Sequence, residues 1–547
     1  MNPYHPPYVY DPAYSKRVAY FCMEFGIDQA LKTFSGGLGY LAGSHMRSAY
    51  ELRQNLIGVG ILWKYGYYDQ VRKRDQSMDV LFLERFYNFL EDTGITFEIS
   101  VDKHPVKVKA LYLAPEIFGT VPMYFLTTDI PENDYLAQTI CHRLYDSDSA
   151  AKIAQYILLG QGGVKLLNIL NYDADKIHLN EAHGLPAAFY EYYSHKSLEK
   201  LREKFVFTTH TPVPAGNETH DIRFLKKMGF FHDTPLDEIR KITKIDGDGF
   251  NLTLGALRIA GRANGVSKMH GEVARQMWST ATDICPIDHV TNAQNANYWT
   301  DSILKHKSDA HDLEGLADRK KTLKIKLLKE VADQTGKIFD PDVLTMVWAR
   351  RFAAYKRADL LTWDEEAFDK LLQNQDQPIQ IIWAGKPYPM DYGAINTFNK
   401  LVELSRRYRN IATVVKYELS NSKLLKQGCD VWLNTPRVTR EASGTSGMTA
   451  AMNATINFST LDGWIPEYAK VGVNSFIIPK ADLSQPIEQQ DHNDLNAAHK
   501  ILSQEIIPRY YEQKEKWREM MQSNMTQIIP FFDASRMAHE YYEKIYR

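Results

Sequence analysis

Short apolar runs alternate with amphipathic stretches along most of the chain. From about residue 18, the runs VAYFCMEF and LIGVGILWK flank LAGSHMRSAYELRQ, in which apolar positions recur at helical spacing. The strand-like runs IHLNEA and KFVFTTHT follow, with helical segments through LPAAFYEYYSHK and LTLGALRIAGRA. This alternation of strands and helices predicts an α/β fold.

A second series begins after a polar helical stretch that we predict from Leu313 to about Lys337. Its strands are TMVWARRF, IQIIWAGK, IATVVK and DVWLN, separated by helices that pass through Leu372 and Tyr408. Short apolar strands with helices between them are typical of parallel sheets covered on both faces. We therefore expect an N-terminal Rossmann-like domain over 1–283, a second over 284–500, and C-terminal helices over 501–547 that pack back across the domains.

The two predicted domains locate a ligand site in general terms. Ligands of parallel sheets bind outside the carboxyl ends of the strands, where the connecting loops gather. We expect these loops to face each other across an interdomain cleft, with the acceptor side on the first domain and the donor or phosphate side on the second.

Composition narrows the class of protein. The 547 residues are 44% hydrophobic and 24% charged with a formal net charge of -2, which gives no overall bias toward nucleic acid or membrane. The N-terminus has no signal-peptide pattern and no run is long enough to cross a bilayer, so we expect a cytoplasmic protein. Four widely spaced cysteines and the lack of an HExxH pair predict neither a disulfide framework nor a metal site.

Glycines precede a predicted helix in KTFSGGLGYLAG, residues 32 to 43. Gly36, Gly37 and Gly39 would let backbone amides approach an anion at the start of that helix. Many glycine turns only cap helices, so this stretch alone leaves both interpretations open.

Four cations follow a predicted strand in ARRFAAYKRADLL, residues 349 to 361. Arg350, Arg351, Lys356 and Arg357 could grip several phosphate charges. The alternative is a solvated basic helix start, but cations at that end of a helix oppose its dipole. This cost favours an anionic partner.

A second glycine-containing turn lies in EASGTSGMTAAMNA, residues 441 to 454. Its amides could hold a sugar hydroxyl or a phosphate, and Glu441 could accept a bond from a sugar hydroxyl. The alternative is an ordinary capped helix start. His210 in FTTHTPVPAG follows a predicted strand, but a single histidine is more often structural, and Asn264 could belong only to a turn.

Many of these stretches, in this order, resemble the α-glucan phosphorylase family, which includes glycogen, starch and maltodextrin phosphorylases. The resemblance covers roughly residues 18 to 470 and rests on the runs VAYFCMEFGI, SGGLGYLAG, LIGVGILWKYGYYDQ, HLNEAH, VFTTHTPVPAG, ANGVSKMHGEVARQMW, ARRFAAYKRADLL, DVWLNTPR, EASGTSGM and LDGW. It implies the GT-B architecture, two doubly wound Rossmann-like domains with the active site in the cleft between them. It also implies a retaining, reversible transfer of glucosyl between the end of an α-1,4-glucan and phosphate.

The resemblance also implies roles for individual residues. The catalytic set would be Arg351 and Lys356, which bind the substrate phosphate, together with His210. The resemblance assigns the glucosyl hydroxyls to Glu441, Ser443 and Gly444, the primary hydroxyl to His210 and Asn264, and the phosphate region to the amides of Gly36 and Gly37. It also places Thr445 against the cofactor phosphate. We add Arg350 and Thr449 as candidates for binding the cofactor or donor phosphate.

Two stretches depart from the family pattern. The family holds pyridoxal phosphate as a Schiff base on the lysine that follows the methionine of the EASGT segment, and Thr449 stands there in this chain. A threonine has no amine, so we expect no covalent pyridoxal phosphate. In HVTNAQNANYWT, Ala293 replaces the glycine of the family's TNG, and Gln294 and Asn295 follow.

These departures lead to three hypotheses for the function. The first is a retaining glucosyltransferase acting on an α-1,4-glucan or related acceptor, with a nucleotide-sugar donor and no metal. The second is an α-glucan phosphorylase that uses non-covalent pyridoxal phosphate to form glucose 1-phosphate, and the third is an inactive glucan-binding relative. The expected partners are a glucan or oligosaccharide and a sugar phosphate or nucleotide sugar, and the resemblance implies a homodimer.

Overall fold

The computed structural model describes residues 4–547 and separates into two units. Unit 1 comprises Met1–Tyr68, described from Tyr4 onward, with Phe82–Asn292 and Ala534–Arg547. Unit 2 comprises Asp69–Leu81 and Ala293–Asp533.

The strands, in chain order, are β1 (Val18–Phe21), β2 (Leu56–Ile61), β3 (Asp69–Arg72), β4 (Met78–Leu81), β5 (Glu91–Val101), β6 (His104–Leu113), β7 (Met123–Thr127), β8 (Lys176–Asn180), β9 (Phe205–Thr208), β10 (Thr219–Asp221), β11 (Gly249–Asn251), β12 (Arg262–Gly265), β13 (Ile287–His289), β14 (Leu344–Ala349), β15 (Ile379–Ala384), β16 (Ile411–Val414), β17 (Val431–Asn434), β18 (Ile456–Thr460) and β19 (Ser475–Ile478).

The α-helices are α1 (Gly37–Glu51), α2 (Pro115–Phe118), α3 (Tyr135–Thr139), α4 (Ser149–Ile157), α5 (Gly163–Ile169), α6 (Pro186–His195), α7 (Leu198–Lys204), α8 (Ile222–Met228), α9 (Leu236–Thr243), α10 (Leu252–Ile259), α11 (Lys268–Met277), α12 (Ala296–Trp299), α13 (Ser302–Asp309), α14 (Leu313–Thr335), α15 (Glu365–Leu372), α16 (Tyr392–Arg407), α17 (Leu419–Gly428), α18 (Ser446–Ala451), α19 (Ile487–Ile501), α20 (Ile507–Glu512), α21 (Lys514–Phe532) and α22 (Ala534–Glu540).

Unit 1 contains a 9-stranded sheet in the order β13-β12-β9-β8-β1-β2-β7-β6-β5. The strands from β13 to β7 in this order pair in parallel, and β6 and β5 extend the sheet antiparallel. The chain leaves β1 toward β2 on one side and later returns to β8 on the other. The direction of winding therefore reverses between β1 and β8, which is where doubly wound sheets bind ligands.

Unit 2 contains a 6-stranded, wholly parallel sheet in the order β16-β15-β14-β17-β18-β19. Numbered from its first strand this is the order 3-2-1-4-5-6, which is found in Rossmann folds. Its point of reversal lies between β14 and β17. The predicted α/β fold with parallel sheets is thus confirmed.

The helix α14 illustrates how the sequence forms unit 2. Asp312 caps its first turn by accepting a hydrogen bond from the amide of Gly315, and Gly336, with φ of 69°, ends it. Leu327, Leu328 and Val331 belong to one core cluster with residues of β14, β15 and β16. The buried positions of the helix recur at helical spacing, and they are Leu316, Lys320, Leu323, Lys324, Leu327, Leu328 and Val331. The helix predicted from Leu313 to about Lys337 is confirmed.

The unit boundaries differ from the predicted domain boundaries in three places. The chain enters unit 2 at Ala293 rather than at 284, and the β3–β4 hairpin belongs to unit 2 although it lies in the first hundred residues. Within unit 2, the Gln70 Nε2 donates to the carbonyl of Gly385 at 2.9 Å and the Met78 amide donates to the Asn399 Oδ1 at 3.0 Å. The last residues, from Ala534, return to unit 1.

The structure also bears on the expectations about membrane-spanning segments and cysteines. Within residues 4–547, no helix has both the length and the apolar character needed to cross a membrane. All four cysteines are buried and unpaired, as their wide spacing predicts.

Candidate active site

The point of reversal in unit 2 lies beside the predicted cationic segment. Arg350 directly follows β14, and Asn434 is the last residue of β17, the strand next to it in the sheet. One Arg350 Nη1–H donates to the Asn434 Oδ1. The cationic segment therefore begins where a ligand of this sheet is expected.

A buried ion cluster forms at this point between two cations and one carboxylate. The Glu441 Oε2 accepts hydrogen bonds from the Arg350 Nη2 and the Lys356 Nζ, each at 2.7 Å. The Arg350 and Lys356 residues are 5% and 7% exposed. Burial of Glu441 opposes its ionisation, but the two cations outweigh this effect and lower its pKa to about 2. The carboxylate is consequently ionised at any physiological pH.

Backbone geometry fixes the loop that follows Glu441. Gly444 has φ of 88°, and a Cβ there would lie 3.3 Å from the Arg350 Nη2. The Ser443 carbonyl accepts a hydrogen bond from the Trp464 amide at 3.0 Å. A Cβ on Gly463 would lie only 2.2 Å from that carbonyl oxygen, so only glycine lets the two loops approach this closely.

Asp462 supports the loop that carries Glu441, a role that the sequence did not indicate. Its carboxylate accepts hydrogen bonds from the amides of Thr439, Arg440 and Glu441 at 3.0, 3.1 and 2.8 Å. It thereby shapes the backbone that carries Glu441. Only the match of LDGW to the family pattern pointed to this segment.

The other predicted residues of unit 2 differ in their exposure. Arg351 is exposed and Thr445 is partly exposed at the N-terminus of α18. Ser443 is 4% exposed, and its Oγ has no hydrogen-bond partner among residues 4–547. A buried hydroxyl of this kind is suited to a ligand that supplies the missing bond.

Arg357 does not join the ion cluster that Arg350 and Lys356 form with Glu441. Its guanidinium is fully buried and pairs with Asp491 and Asp494 of α19. The segment 350–357 is also no helix start, because it contains only the 3-10 turn Ala354–Lys356 and α15 begins at Glu365. The argument from an opposed helix dipole therefore does not apply here.

Thr449 tests whether this segment fits covalently bound pyridoxal phosphate, the cofactor that the family resemblance implies. Thr449 lies in α18, is 1% exposed, and its hydroxyl donates to the Ser446 carbonyl at 3.0 Å. The side chain has no amine and its single O–H is already used within the helix. A Schiff base does not fit at this residue.

In unit 1, Glu24 organises the glycine-rich segment. Its Oε2 accepts hydrogen bonds from the amides of Ser35 at 2.7 Å and Gly36 at 3.2 Å, and its Oε1 accepts one from the Tyr145 hydroxyl at 2.8 Å. The Gly36 amide is therefore used by the protein itself. A Cβ on Gly36 or on Gly37, the first residue of α1, would meet no atom of residues 4–547 within 4 Å, so the segment borders open space.

His210 lies beside the point of reversal in unit 1. Its Nε2 lies 2.7 Å from the Oδ1 of Asn180, the last residue of β8. Burial lowers its pKa to about 3, so the imidazole is neutral. The His210 amide donates to the carboxylate of Glu181, which follows β8 with a φ of 68°.

Glu181 is a second residue whose role the sequence reasoning missed. Burial raises its pKa to about 7, although bonds from the His210 amide and the Thr211 hydroxyl act in the opposite direction. A strained backbone and a carboxyl that titrates near neutrality are common at functional sites. HLNEAH supported the family resemblance, but nothing in the run itself distinguishes this glutamate.

Asn264 occupies a position that favours a structural role. Its side chain is fully buried, and the Oδ1 accepts from the Thr208 hydroxyl at 2.8 Å. Its Nδ2 donates to the Gly265 carbonyl at 3.0 Å and to the Tyr541 hydroxyl at 3.3 Å. A direct sugar contact would have to break these bonds.

The predicted residues thus form one group in each unit. Arg350, Lys356, Glu441 and Gly444 meet in unit 2, whereas Thr449 is enclosed in α18. In unit 1 the His210 backbone meets Glu181, and the glycine-rich segment meets Glu24.

Comparisons with known protein sequences give the family of this chain. A sequence model of carbohydrate phosphorylases matches residues 294–505, which include the ion cluster. The chain is 34% identical to a maltodextrin phosphorylase of Thermococcus litoralis over 98% of this chain and 71% of that protein. It is 31% identical to a glycogen phosphorylase of Mycobacterium tuberculosis over 97% and 70%, and 48% identical to an uncharacterized protein of Methanocaldococcus jannaschii over 97% and 100%. This chain belongs to the carbohydrate phosphorylase family.

Proposed function

We propose that the protein is a retaining glucosyltransferase that acts on an α-1,4-glucan or a related acceptor, with a phosphate-bearing leaving group. The observation that carries this proposal is the ion cluster of Arg350, Lys356 and Glu441 at the point of reversal of a Rossmann-type sheet. Cations suit a phosphate, and a carboxylate that is ionised at neutral pH suits sugar hydroxyls.

The charges of the cluster support a dianionic ligand. Arg350, Lys356 and the adjacent exposed Arg351 oppose the single carboxylate of Glu441, which leaves two net positive charges. A phosphate or diphosphate leaving group would match this excess. Lys356 and Arg351 would then stabilise the charge that develops on the departing group, a contribution that is usually large in such reactions.

The other proposed contacts complete the site. Ser443 and Gly444 would bind the glucosyl hydroxyls with Glu441, and Thr445 would border the phosphate. His210 and the Gly37 amide would contribute from unit 1, in the GT-B arrangement with an active-site cleft between the domains that the resemblance implies. A homodimer in the cytoplasm remains a prediction from the sequence.

For the donor we propose a nucleotide sugar. Thr449 stands where the family resemblance places the cofactor lysine, and its enclosed hydroxyl cannot replace an amine. Without an anchored cofactor phosphate, the adjoining anion sites would be free to bind the two phosphates of such a donor.

A second candidate is phosphorolysis with non-covalently bound pyridoxal phosphate. The names of the relatives, a maltodextrin phosphorylase and a glycogen phosphorylase, favour it. Thr445, which the resemblance places against the cofactor phosphate, is present, and Arg350 would help to hold that phosphate.

One experiment separates these candidates. Purified protein is incubated with maltodextrin and either a panel of nucleotide sugars or phosphate with added pyridoxal phosphate, and product formation is measured. Chain elongation from a nucleotide sugar supports the first candidate, and glucose 1-phosphate supports the second. If maltodextrin binds but neither product forms, the chain is an inactive glucan-binding relative and both proposals fail.

A matched pair of variants ties the activity to the site. Lys356→Met should reduce turnover by about 100-fold or more, because a buried donor to the leaving group is lost. Lys400→Met, which changes an exposed lysine on α16, should leave turnover within about two-fold.

A further inference from the structure

The residue that follows Lys356 has a backbone conformation that needs external support. Arg357 has φ of 45°, in the left-handed region that residues other than glycine seldom adopt. It ends the 3-10 turn Ala354–Lys356, so its conformation sets the direction in which the chain leaves this turn directly after Lys356. Such a conformation persists only when surrounding contacts hold it.

The Arg357 side chain supplies that support through four hydrogen bonds. Its Nε donates to the Thr435 carbonyl at 2.9 Å and its Nη2 to the Pro436 carbonyl at 3.2 Å. Its Nη1 donates to Asp491 at 2.7 Å and its Nη2 to Asp494 at 2.6 Å. With its side chain fully buried and these donors used, Arg357 is an anchor and not a phosphate ligand.

Asp491 connects the same anchor to the loop that carries Glu441. Its carboxylate also accepts bonds from Arg437, from the Nε at 2.9 and 3.3 Å and from the Nη2 at 2.6 Å. The Arg437 amide in turn donates to the Tyr355 carbonyl at 2.9 Å. One carboxylate of α19 thus binds both the turn of Lys356 and the loop that leads to Glu441.

Thr435 secures the turn from the other side. Its hydroxyl lies 3.1 Å from the carbonyl oxygens of both Lys356 and Arg357. The backbone of Lys356 is therefore held between β17, which ends one residue before Thr435, and α19.

We propose that Asp491 and Asp494 of α19 are positioning residues that set the phosphate affinity of Lys356 through Arg357 and Arg437. This inference rests on the proposed function, because it takes Lys356 as a ligand of the phosphate group. The carboxylates act at a distance by fixing the Lys356 Nζ relative to Arg350 and Glu441. A displacement of about 1 Å at such a remote support is enough to weaken a site many-fold.

The test compares phosphate binding with glucan binding in single variants. Binding of inorganic phosphate and of maltoheptaose is measured by calorimetry for the wild type, Lys356→Met, Asp494→Asn and Asp494→Glu. Glu488→Gln is the matched control, because Glu488 is an exposed acidic residue of the same helix. Thermal unfolding of every variant is recorded in parallel.

We expect Asp494→Asn to weaken phosphate binding by about 10-fold or more and maltoheptaose binding by less than about two-fold. Asp494→Glu, which keeps the charge but moves the carboxylate, should lie between the wild type and Asp494→Asn. In the double variant with Lys356→Met, the loss should be clearly less than the sum of the two single effects, since both act on one contact.

Three results would overturn the inference in distinguishable ways. If Lys356→Met loses phosphate and Asp494→Asn does not, α19 has only a structural role and the proposed function stands. If Asp494→Asn weakens both ligands equally, the variant has a general folding defect and no specific positioning effect. If the wild type does not bind phosphate, the inference and the anion site of the proposed function both fail.

Discussion

At the scale of single residues, Glu441 is the group whose charge holds the candidate site together. Its pKa of about 2 lies below the ordinary 4.5, so its ion pairs stabilise the folded state at pH values above 4.5. This stabilisation is lost as the pH falls from 4.5 toward 2. Arg350 and Lys356 would then be buried without a counter-charge, which is costly.

Glu441→Gln should reproduce this loss at neutral pH. We expect the free energy of unfolding to fall by about 3 kcal/mol, because one partner of a buried pair is removed. Phosphate should stabilise the variant more than the wild type, since it restores the missing negative charge. Thermal unfolding with and without phosphate measures both effects, with Glu488→Gln as the control. An equal phosphate shift in the two proteins would show that Glu441 does not share cations with the anion.

Glu181 should give the protein a titration near neutrality. Its pKa is raised from 4.5 to about 7, so the folded state holds a proton that the unfolded state releases in this range. The contribution of protonated Glu181 to the free energy of unfolding is complete below pH 4.5, and it is lost as the pH rises through 7. Glu181→Gln should remove this pH dependence.

Denaturant unfolding at several pH values tests the Glu181 prediction. The free energy of unfolding of the wild type should fall more steeply between pH 4.5 and 7 than that of Glu181→Gln, and the pH profile of turnover should lose one ionisation in the variant. Parallel curves for the two proteins would contradict the prediction. Glu366, which is exposed on α15, provides the matched control Glu366→Gln.

At the scale of elements, the loops that carry Ser443 and Gly463 in unit 2 can approach each other closely because residue 463 has no side chain. Gly463 combines φ of 60° with a Cβ position 2.2 Å from the Ser443 carbonyl oxygen. Gly472 has a similar φ of 74°, but a Cβ there would meet no atom of residues 4–547 within 4 Å. Substituting each glycine by alanine therefore separates the effect of backbone strain, present at both positions, from the effect of the close approach to Ser443, present only at Gly463.

Gly463→Ala should therefore be more damaging than Gly472→Ala. We expect Gly472→Ala to cost about 1 kcal/mol of stability from strain alone, and Gly463→Ala about 1–3 kcal/mol more because the loops must separate. Turnover should fall only in Gly463→Ala, since it moves Ser443. Chemical denaturation and activity assays check this, and equal effects of the two substitutions would rule out the contact.

The sequence predicts single strands and helices better than it predicts which distant residues contact one another. The strands β1, β2, β8, β9 and β14 to β17 are apolar runs, and α14 shows a helical period with an Asp312 cap, so these elements could be predicted locally. The strands β5, β12 and β13 have the sequences EDTGITFEISV, RANG and IDH, which are not apolar runs, and the hydrophobic pattern does not predict them. The sequence pattern grouped Arg357 with the phosphate-binding cations. Its actual partner Asp491 lies 134 positions along the chain, where no local pattern connects the two residues. Asp462 likewise acts through backbone amides of residues 439–441, which leave no mark in composition or spacing.

At the scale of the whole molecule, each unit is assembled from stretches that are separated along the chain. The β3–β4 hairpin lies in unit 2 and residues from Ala534 lie in unit 1, so neither unit is a continuous segment. A boundary at one position cannot describe this arrangement, and hydrophobic patterns carry no information on which sheet an element joins. The C-terminal residues are the clearest case, because their partners precede them by hundreds of positions.

The C-terminal residues should be necessary for the stability of unit 1. The Tyr546 hydroxyl lies 2.7 Å from the His178 Nδ1, and the His178 Nε2 lies 2.7 Å from the Thr208 hydroxyl, which donates to Asn264. Tyr546→Phe leaves a buried imidazole nitrogen without its partner, which should cost about 1–3 kcal/mol. Tyr392→Phe, at an exposed tyrosine of α16, is the control.

Hydrogen exchange followed by mass spectrometry locates the effect of Tyr546→Phe. Amides of β8 and β9 should exchange faster in the variant, because these strands carry His178 and Thr208, whereas β14 and β15 of unit 2 should exchange at the wild-type rate. Faster exchange in both sheets would mean that the two units unfold together, and unchanged exchange in β8 would mean that the tyrosine contributes nothing to unit 1. Only faster exchange in β8 and β9 together with unchanged exchange in β14 and β15 would assign residues 534–547 a stabilising role that is confined to unit 1.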